Sequence, residues 1–213
     1  MTQEIQKFWD KQAKKFDKAE KQFMSVYQDV IAKTGSYLSP DDNALDYGCA
    51  IGSKTIALAG KVRFIHGRDI SAEMIKLAVN KKDELEVSNI SFSQGTIFDP
   101  ELESGSFDKI IAFGIIHLLD DSQKVIDKIY ELLKPGGLFI STTACMKDKM
   151  SFMNRMTVTS YLVMKRLGLS PIHLNMFHAS DVERLFEEHH FQIVEAEKIT
   201  HGLPAVFIVA RKE

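Results

Sequence analysis

Two aspartates, Asp46 and Asp69, each close a short apolar run, and the first is followed by the turn Tyr47-Gly48-Cys49-Ala50-Ile51-Gly52. Alternating small residues in such a turn put almost no side chain between backbone and ligand, so chain atoms can touch a bound molecule closely. The helical run Ser53 to Ala59 follows, then the apolar run Val62 to Gly67 that ends at Asp69. Strand, small-residue turn, helix, strand and a second acid about 20 residues on is the sequence form of a nucleoside site, with that acid placed to accept from ribose hydroxyls.

The glycine spacing narrows the nucleoside. A dinucleotide fingerprint needs G-x-G-x-x-G, and the corresponding positions here are Gly48, Ala50 and Ser53. The pattern present is instead D-x-G-x-A-x-G, from Asp46 to Gly52. In this the chain resembles the class I S-adenosylmethionine (SAM) dependent methyltransferases, whose first motif is acid-x-G-x-G-x-G. The likeness continues in order downstream. Gly67 to Ser71 resembles the second motif, with Ser71 suited to cap the next helix. Ser106 to Phe113 is similar to the family's fourth strand, Ile115 to Leu118 to the turn after it, and Leu132 to Ile140 to the corner before its fifth strand. Small-molecule members, the quinone-type enzymes among them, open with F-W-D…A-x-x-Y-D. Phe8-Trp9-Asp10 and Ala13 to Asp17 resemble that opening, with Phe16 at the tyrosine position.

The resemblance implies a Rossmann-like α/β fold: a seven-stranded, mostly parallel sheet with helices on both faces and an antiparallel last strand. It implies SAM as cofactor and S-adenosylhomocysteine as product. Asp46 and the Gly48 backbone would hold the amino-acid arm, with Cys49, Ala50 and Gly52 completing the turn, and Asp69 would accept from the ribose. Many relatives carry an acid after the third strand for the adenine amine; here Thr96 stands there, so adenine recognition falls to Thr96, the Ile97 backbone and stacking from Ile70. Phe113, closing the fourth strand, completes the cofactor set.

A methyl group on a sulfonium is already activated, so the enzyme's main task is to align nucleophile, carbon and sulfur in a site that excludes water. A general base is needed only for an acceptor that arrives protonated. His117, just past the fourth strand, is the best-placed titratable side chain for that catalytic role, set against a plain hydrogen-bonded histidine. His173 and His178 lie in the segment expected to roof the site, while His189, His190 and His201 read as surface residues.

The elements that must position these residues follow from periodicity. Phe8, Phe16, Phe23, Tyr27 and Ile31 recur at helical spacing, so residues 4–34 form one or two amphipathic helices. Strands are expected near 43–47, 63–69, 90–94, 107–113 and 138–143, with helices at 53–59, 72–84 and 122–133, an alternation that gives a parallel sheet. After a helical insertion, Ser180 to Glu183 has the capping-box form and opens a helix to about His190; Phe191 to Ile199 and Ala205 to Arg211 read as two closing strands. The whole, residues 1–213, reads as one domain: an N-terminal cap (1–36), a cofactor-binding core (43–143), an acceptor roof (147–178) and a closing helix with two strands (179–213).

The roof holds Met146, Met150, Met153, Met156 and Met164, which on an ideal helix share a broad face with Tyr161 and Leu167, away from Lys147, Arg155, Lys165 and Arg166. Methionine is soft and adaptable. Phe16, Met150, Met153 and Tyr161, with His173 and His178, are therefore the acceptor-side candidates for a small, partly apolar molecule. The basic residues leave open a transient contact with an anionic membrane surface.

Composition limits the alternatives. A chain of 213 residues, 45% of them hydrophobic, can bury one sizeable core. With 27 basic against 29 acidic residues it has no general attraction for phosphate backbones, which argues against nucleic acid as acceptor. Cys49 and Cys145 offer neither a disulfide framework nor metal-ligand spacing, so no metal is expected and reduced cytoplasm fits best. The first residues lack the apolar stretch of a signal peptide. Two other classes stay open: a nicotinamide-dependent oxidoreductase, which the glycine spacing opposes, and a SAM-binding protein without turnover. The acceptor, the atom methylated and the oligomeric state are not written in the sequence.

Overall fold

The computed structural model describes residues 3–200 and 202–213, the side chains at 19–26 excepted, so Phe23 and His201 lie outside what is described. Seven strands form one sheet in the order β3-β2-β1-β4-β5-β7-β6. The strands are β1 (Asn43–Tyr47), β2 (Phe64–Asp69), β3 (Ile90–Gln94), β4 (Phe107–Phe113), β5 (Leu133–Ala144), β6 (Phe191–Ile199) and β7 (Ala205–Lys212). Neighbours from β3 to β5 pair in parallel, while β7 runs antiparallel to both β5 and β6. The central strands are buried on both faces, as helices packed on each side of a parallel sheet require. Helices α1 (Gln3–Gly35), α2 (Ser53–Ala59), α3 (Ala72–Glu84), α4 (Ser122–Leu132), α5 (Phe152–Arg166) and α6 (Ala179–Glu188) surround it, with a 3-10 turn at Ile116–Leu118.

Strand order reverses between β1 and β4, the crevice where open α/β sheets bind ligands at the carboxyl ends of their strands. One side of the sheet packs Leu45, Ile110 and Phe139 against α4 and α6; the other packs Ala44, Ile111 and Ile140 with Leu58 of α2 and Val30 of α1. The N-terminal segment is one continuous helix. Its early part is pinned beside the crevice, where Ala13, Trp9 and Phe16 pack with Ile51 and Met74.

Most boundaries fall within a residue or two of the sequence expectation, and two departures have a clear physical cause. β5 begins at Leu133, because Phe107 pairs with Leu133 and Lys109 already with Leu138, so Lys134 to Gly137 form a bulge with Gly136 at φ +76°. α6 begins one residue before Ser180, capped by His178, whose backbone N–H donates to Asp181 Oδ2 at 2.9 Å. The carboxylate one turn into the helix satisfies that donor, so Asp181 rather than Glu183 closes the cap.

Candidate active site

The turn after β1 winds through three left-handed residues, Gly48 (φ +77°), Ala50 (φ +49°) and Gly52 (φ +75°). The Gly48 and Cys49 N–H groups both donate to the Arg68 carbonyl, at 2.7 and 3.2 Å, which ties the turn to the end of β2. A methyl group at Gly48 would sit 2.5 Å from Ile115 Cδ1, and one at Gly52 would sit 2.6 Å from Phe92 Cζ. Gly48 therefore keeps the crevice open toward the loop after β4, whereas Gly52 lets α2 pack on the sheet. Ala50 bears the cost of a left-handed L-residue, and its N–H donates to Asp69 Oδ2 at 3.0 Å.

The two acids have different environments. Asp69 sits at the rim of the crevice, accepting from Ala50 and, at 2.9 Å on Oδ1, from the Ser71 N–H. Burial pushes its carboxyl upward, and the backbone donors from Ser71 and Ala50 hold it down in part, leaving it above the usual range. Asp46 lies beneath the turn, 1% exposed, accepting from the Thr55 hydroxyl at 2.6 Å. Desolvation raises it to about 6 against the lowering effects of Thr55 and the Lys54 charge.

A cavity of about 190 Å³ opens between these groups and α1. Of the residues expected to hold a cofactor, Gly48, Ala50, Asp69, Ile70 and Phe113 line it. Asp46, Cys49 and Gly52 stand behind it. Thr96 and Ile97 do not reach it either; Gly95 does. The Thr96 hydroxyl donates to Asp99 Oδ1 at 2.8 Å and its N–H to Asp99 Oδ2 at 3.1 Å, and Asp99 also pairs with buried Arg68 at 2.6 Å. Ile97 is fully buried in the core. Several lining residues lie outside the expected cofactor set, and three of them bring chemistry to it. Trp9 covers the cavity from α1, Lys54 enters it from the first turn of α2, and Tyr47 brings a buried hydroxyl with no hydrogen-bond partner among the described residues. Lys54 carries a signal in the sequence: a cation in a helix's first turn opposes the helix dipole and needs a nearby anion.

A second cavity, about 430 Å³, adjoins the first across the shared walls Trp9, Phe16 and Leu118. His117, Met146, Val158, Tyr161, Ile172 and Leu203 enclose much of it. Of the acceptor-side candidates, Phe16 and Tyr161 reach this space and Met150, Met153, His173 and His178 do not. The methionine face of α5 points the other way: Met153 is 71% exposed and no residue of the helix is fully buried. Polar anchors set that orientation. Asn154 donates to the Gly202 carbonyl at 2.7 Å, Tyr161 meets Ser170 at 3.0 Å, and Lys165 lies 3.2 Å from His173 Nδ1, so this row turns inward and the methionines turn out. His178 instead meets Asp148 at 2.7 Å. At His117, burial depresses the imidazole to about 4, and its Nδ1 is buried with no hydrogen-bond partner among the described residues.

A strand-reversal crevice with a left-handed glycine turn and a rim acid defines a nucleoside-binding α/β domain, and the comparisons give its family. A family model described as a methyltransferase domain matches residues 38–189. The chain belongs to that family, of the class I, SAM-dependent kind. It is 31% identical over 100 residues to a demethylmenaquinone methyltransferase of Oceanobacillus iheyensis, covering 45% of this chain and 42% of that protein. It is 29% identical over 114 residues to phosphoethanolamine N-methyltransferase 2 of Caenorhabditis elegans, covering 53% of this chain and 26% of the relative. The chain thus matches less than half the length of these relatives. The fold also matches a phosphoethanolamine N-methyltransferase 2 of Haemonchus contortus in complex with phosphomonomethylethanolamine and S-adenosylhomocysteine. There the TM-score is 0.68 at 17% identity, over 86% of this chain and 52% of that one.

Proposed function

We propose that the protein transfers a methyl group from SAM to a small, partly apolar acceptor, with the cofactor in the first cavity and the acceptor in the second. The observation that carries this reading is the pair of adjoining cavities whose linings share Trp9, Phe16 and Leu118. One is rimmed by a glycine turn and a carboxylate, the other by apolar side chains. The residues fit the cofactor: Gly48 is a cradle that a Cβ would fill, Asp69 offers a carboxylate at the rim, and Tyr47 holds a buried hydroxyl still to be satisfied. When bound, SAM supplies a methyl group on a positively charged sulfur.

The chain's own residues bind, orient and exclude water. Asp69 accepts from ribose hydroxyls, and Ile70 and Met74 pack against the nucleoside. Lys54 offers positive charge to a carboxylate, and the faces of Trp9, Phe16 and Phe113 suit a cationic centre. Asp46 acts through the turn, which it supports by way of Thr55. His117 contributes position rather than proton removal, since an imidazole depressed to about 4 is neutral at physiological pH and a weaker base than an ordinary histidine. Alignment of the two occupants then supplies most of the rate.

Calorimetry with SAM and S-adenosylhomocysteine, followed by transfer of labelled methyl from SAM to fractionated small-molecule extracts, tests this reading. Saturable cofactor binding with label appearing in an organic-extractable product is expected. Binding without transfer to any fraction would leave a SAM-binding protein without turnover.

A further inference from the structure

The second cavity's roof is apolar on the wrong side. Along α5, turning about 100° per residue, Phe152, Val163, Met156, Leu167, Met153 and Met164 fall within one arc of roughly 120°. That arc faces solvent: Phe152 is 73%, Met156 56% and Val163 51% exposed. A helix that turns its polar row inward and its apolar row outward gains nothing from water on that side.

Charge identifies the occupant. The chain carries 29 acidic residues and a net charge of −2, yet the sequence from Lys149 to Ser180 contains no aspartate or glutamate and includes Lys149, Arg155, Lys165 and Arg166. On the helical wheel Arg155 and Arg166 flank one edge of the apolar arc, and both are exposed. An apolar stripe bordered by arginines in an acid-free segment is complementary to an anionic lipid surface, with side chains at the acyl boundary and guanidinium groups among phosphates. Pairing with a second copy is disfavoured, because a two-fold contact would bring the same unneutralised arginines face to face.

We propose that α5 lies in the headgroup region of an anionic bilayer, outer face down, and that the protein takes its acceptor from that bilayer. The inner side of the same helix supplies Val158 and Tyr161 to the second cavity, so the bilayer would stand one helix diameter, about 10–12 Å, from the acceptor site. The source of the acceptor rests on the function proposed above. Docking does not, because it is measured without turnover.

The test is co-sedimentation of the full chain with phosphatidylcholine–phosphatidylglycerol vesicles against pure phosphatidylcholine vesicles, at low and physiological salt. Binding to the anionic vesicles, weakened by salt, is expected. Met156→Asp with Val163→Asp should reduce it about tenfold or more by removing apolar insertion. Arg155→Glu with Arg166→Glu should reduce it about tenfold or more by removing charge attraction. Calorimetry with S-adenosylhomocysteine shows that the variants remain folded, since none of the four residues lines the cofactor cavity. Absence of binding to anionic vesicles at low salt would overturn the proposal, as would unchanged binding in the Met156→Asp, Val163→Asp variant. A concentration-dependent dimer of the wild type that this variant abolishes would assign the face to a second copy instead. Vesicle binding with no transfer of methyl to any lipid-extracted acceptor would leave docking standing and overturn the proposed source of the acceptor.

Discussion

Asp10 of α1 accepts the Ser71 hydroxyl at 2.6 Å, and the Ser71 N–H in turn donates to Asp69 at 2.9 Å. The same Asp10 oxygen accepts from the Glu73 N–H at 3.2 Å, so a residue from the N-terminal helix caps α3 from outside. This relay fixes the helix that carries Trp9 and Phe16 to the loop that carries the rim acid. Asp10→Ala should therefore lower stability by about 1 kcal/mol, the usual worth of a cap, and also weaken cofactor binding. Asp10→Asn, which keeps an acceptor oxygen, should restore most of both. Denaturant melts and calorimetry on the two variants check this; loss of stability with unchanged affinity would confine Asp10 to capping.

Asp69 has two duties, and the substitution must show both. Its oxygens hold Ala50 in a left-handed conformation and close the loop at Ser71, besides facing the cavity. Hydrogen bonds to a charged group contribute about 1.5–3 kcal/mol each. Asp69→Ala is expected to weaken S-adenosylhomocysteine binding tenfold or more and to lower stability measurably in the absence of ligand. Unchanged affinity in a folded variant would remove the ribose role.

Two buried titratable groups give stability opposite slopes over nearly the same pH range. Asp46 is raised from 3.8 to about 6, so its folded form holds a proton more tightly than the unfolded chain. Its contribution is full below about 4 and lost as pH rises through 6. His117 is lowered from 6.5 to about 4, so its contribution is present above 6.5 and lost as pH falls through 4. Relative to wild type, Asp46→Asn should gain stability between pH 4 and 7, by about 3 kcal/mol for a shift of roughly two units. His117→Asn should lose stability relative to wild type over the same interval. Urea denaturation at several pH values separates them, and parallel curves for a variant and wild type would refute the shift at that residue.

The sheet was legible because parallel strands are continuous apolar runs with turn residues at their ends, and β1, β3 and β4 begin and end where the sequence places them. Asp69 was legible for a related reason: a carboxylate at the carboxyl end of a central strand points into the crevice. The adenine side was not. Gly95, Thr96 and Ile97 are consecutive, and which of them faces the cavity depends on Asp99 drawing Thr96 away, a contact that spacing does not encode. α5 is the instructive failure. Periodicity states which residues share a face, and Met153, Met156 and Met164 do share one; Tyr161, assigned to the same face, turns inward, and Met146 lies before the helix, buried against the second cavity. The face that turns inward was set by Asn154, Tyr161 and Lys165 finding partners at Gly202, Ser170 and His173.

Trp9 is the chain's only tryptophan and lines both cavities, so the two binding events can be read from one fluorophore. The cavities proposed for cofactor and acceptor both meet this indole. S-adenosylhomocysteine should change its emission saturably, and an acceptor added afterwards should produce a second change. Tyr161→Ala removes a wall of the second cavity alone, about 3 kcal/mol or more of aromatic packing where a ring is fully buried and less at this half-buried site. It should leave the first titration nearly unchanged and weaken the second about tenfold, with kcat/KM for the acceptor falling in step. Tyr161→Phe keeps the ring and loses the hydroxyl contacts to Ser170 and to the Ile172 carbonyl, so it should behave close to wild type. Equal damage to both titrations by Tyr161→Ala would mean that α5 supports the cofactor cavity as well, and the division of the site at Trp9 would have to be withdrawn.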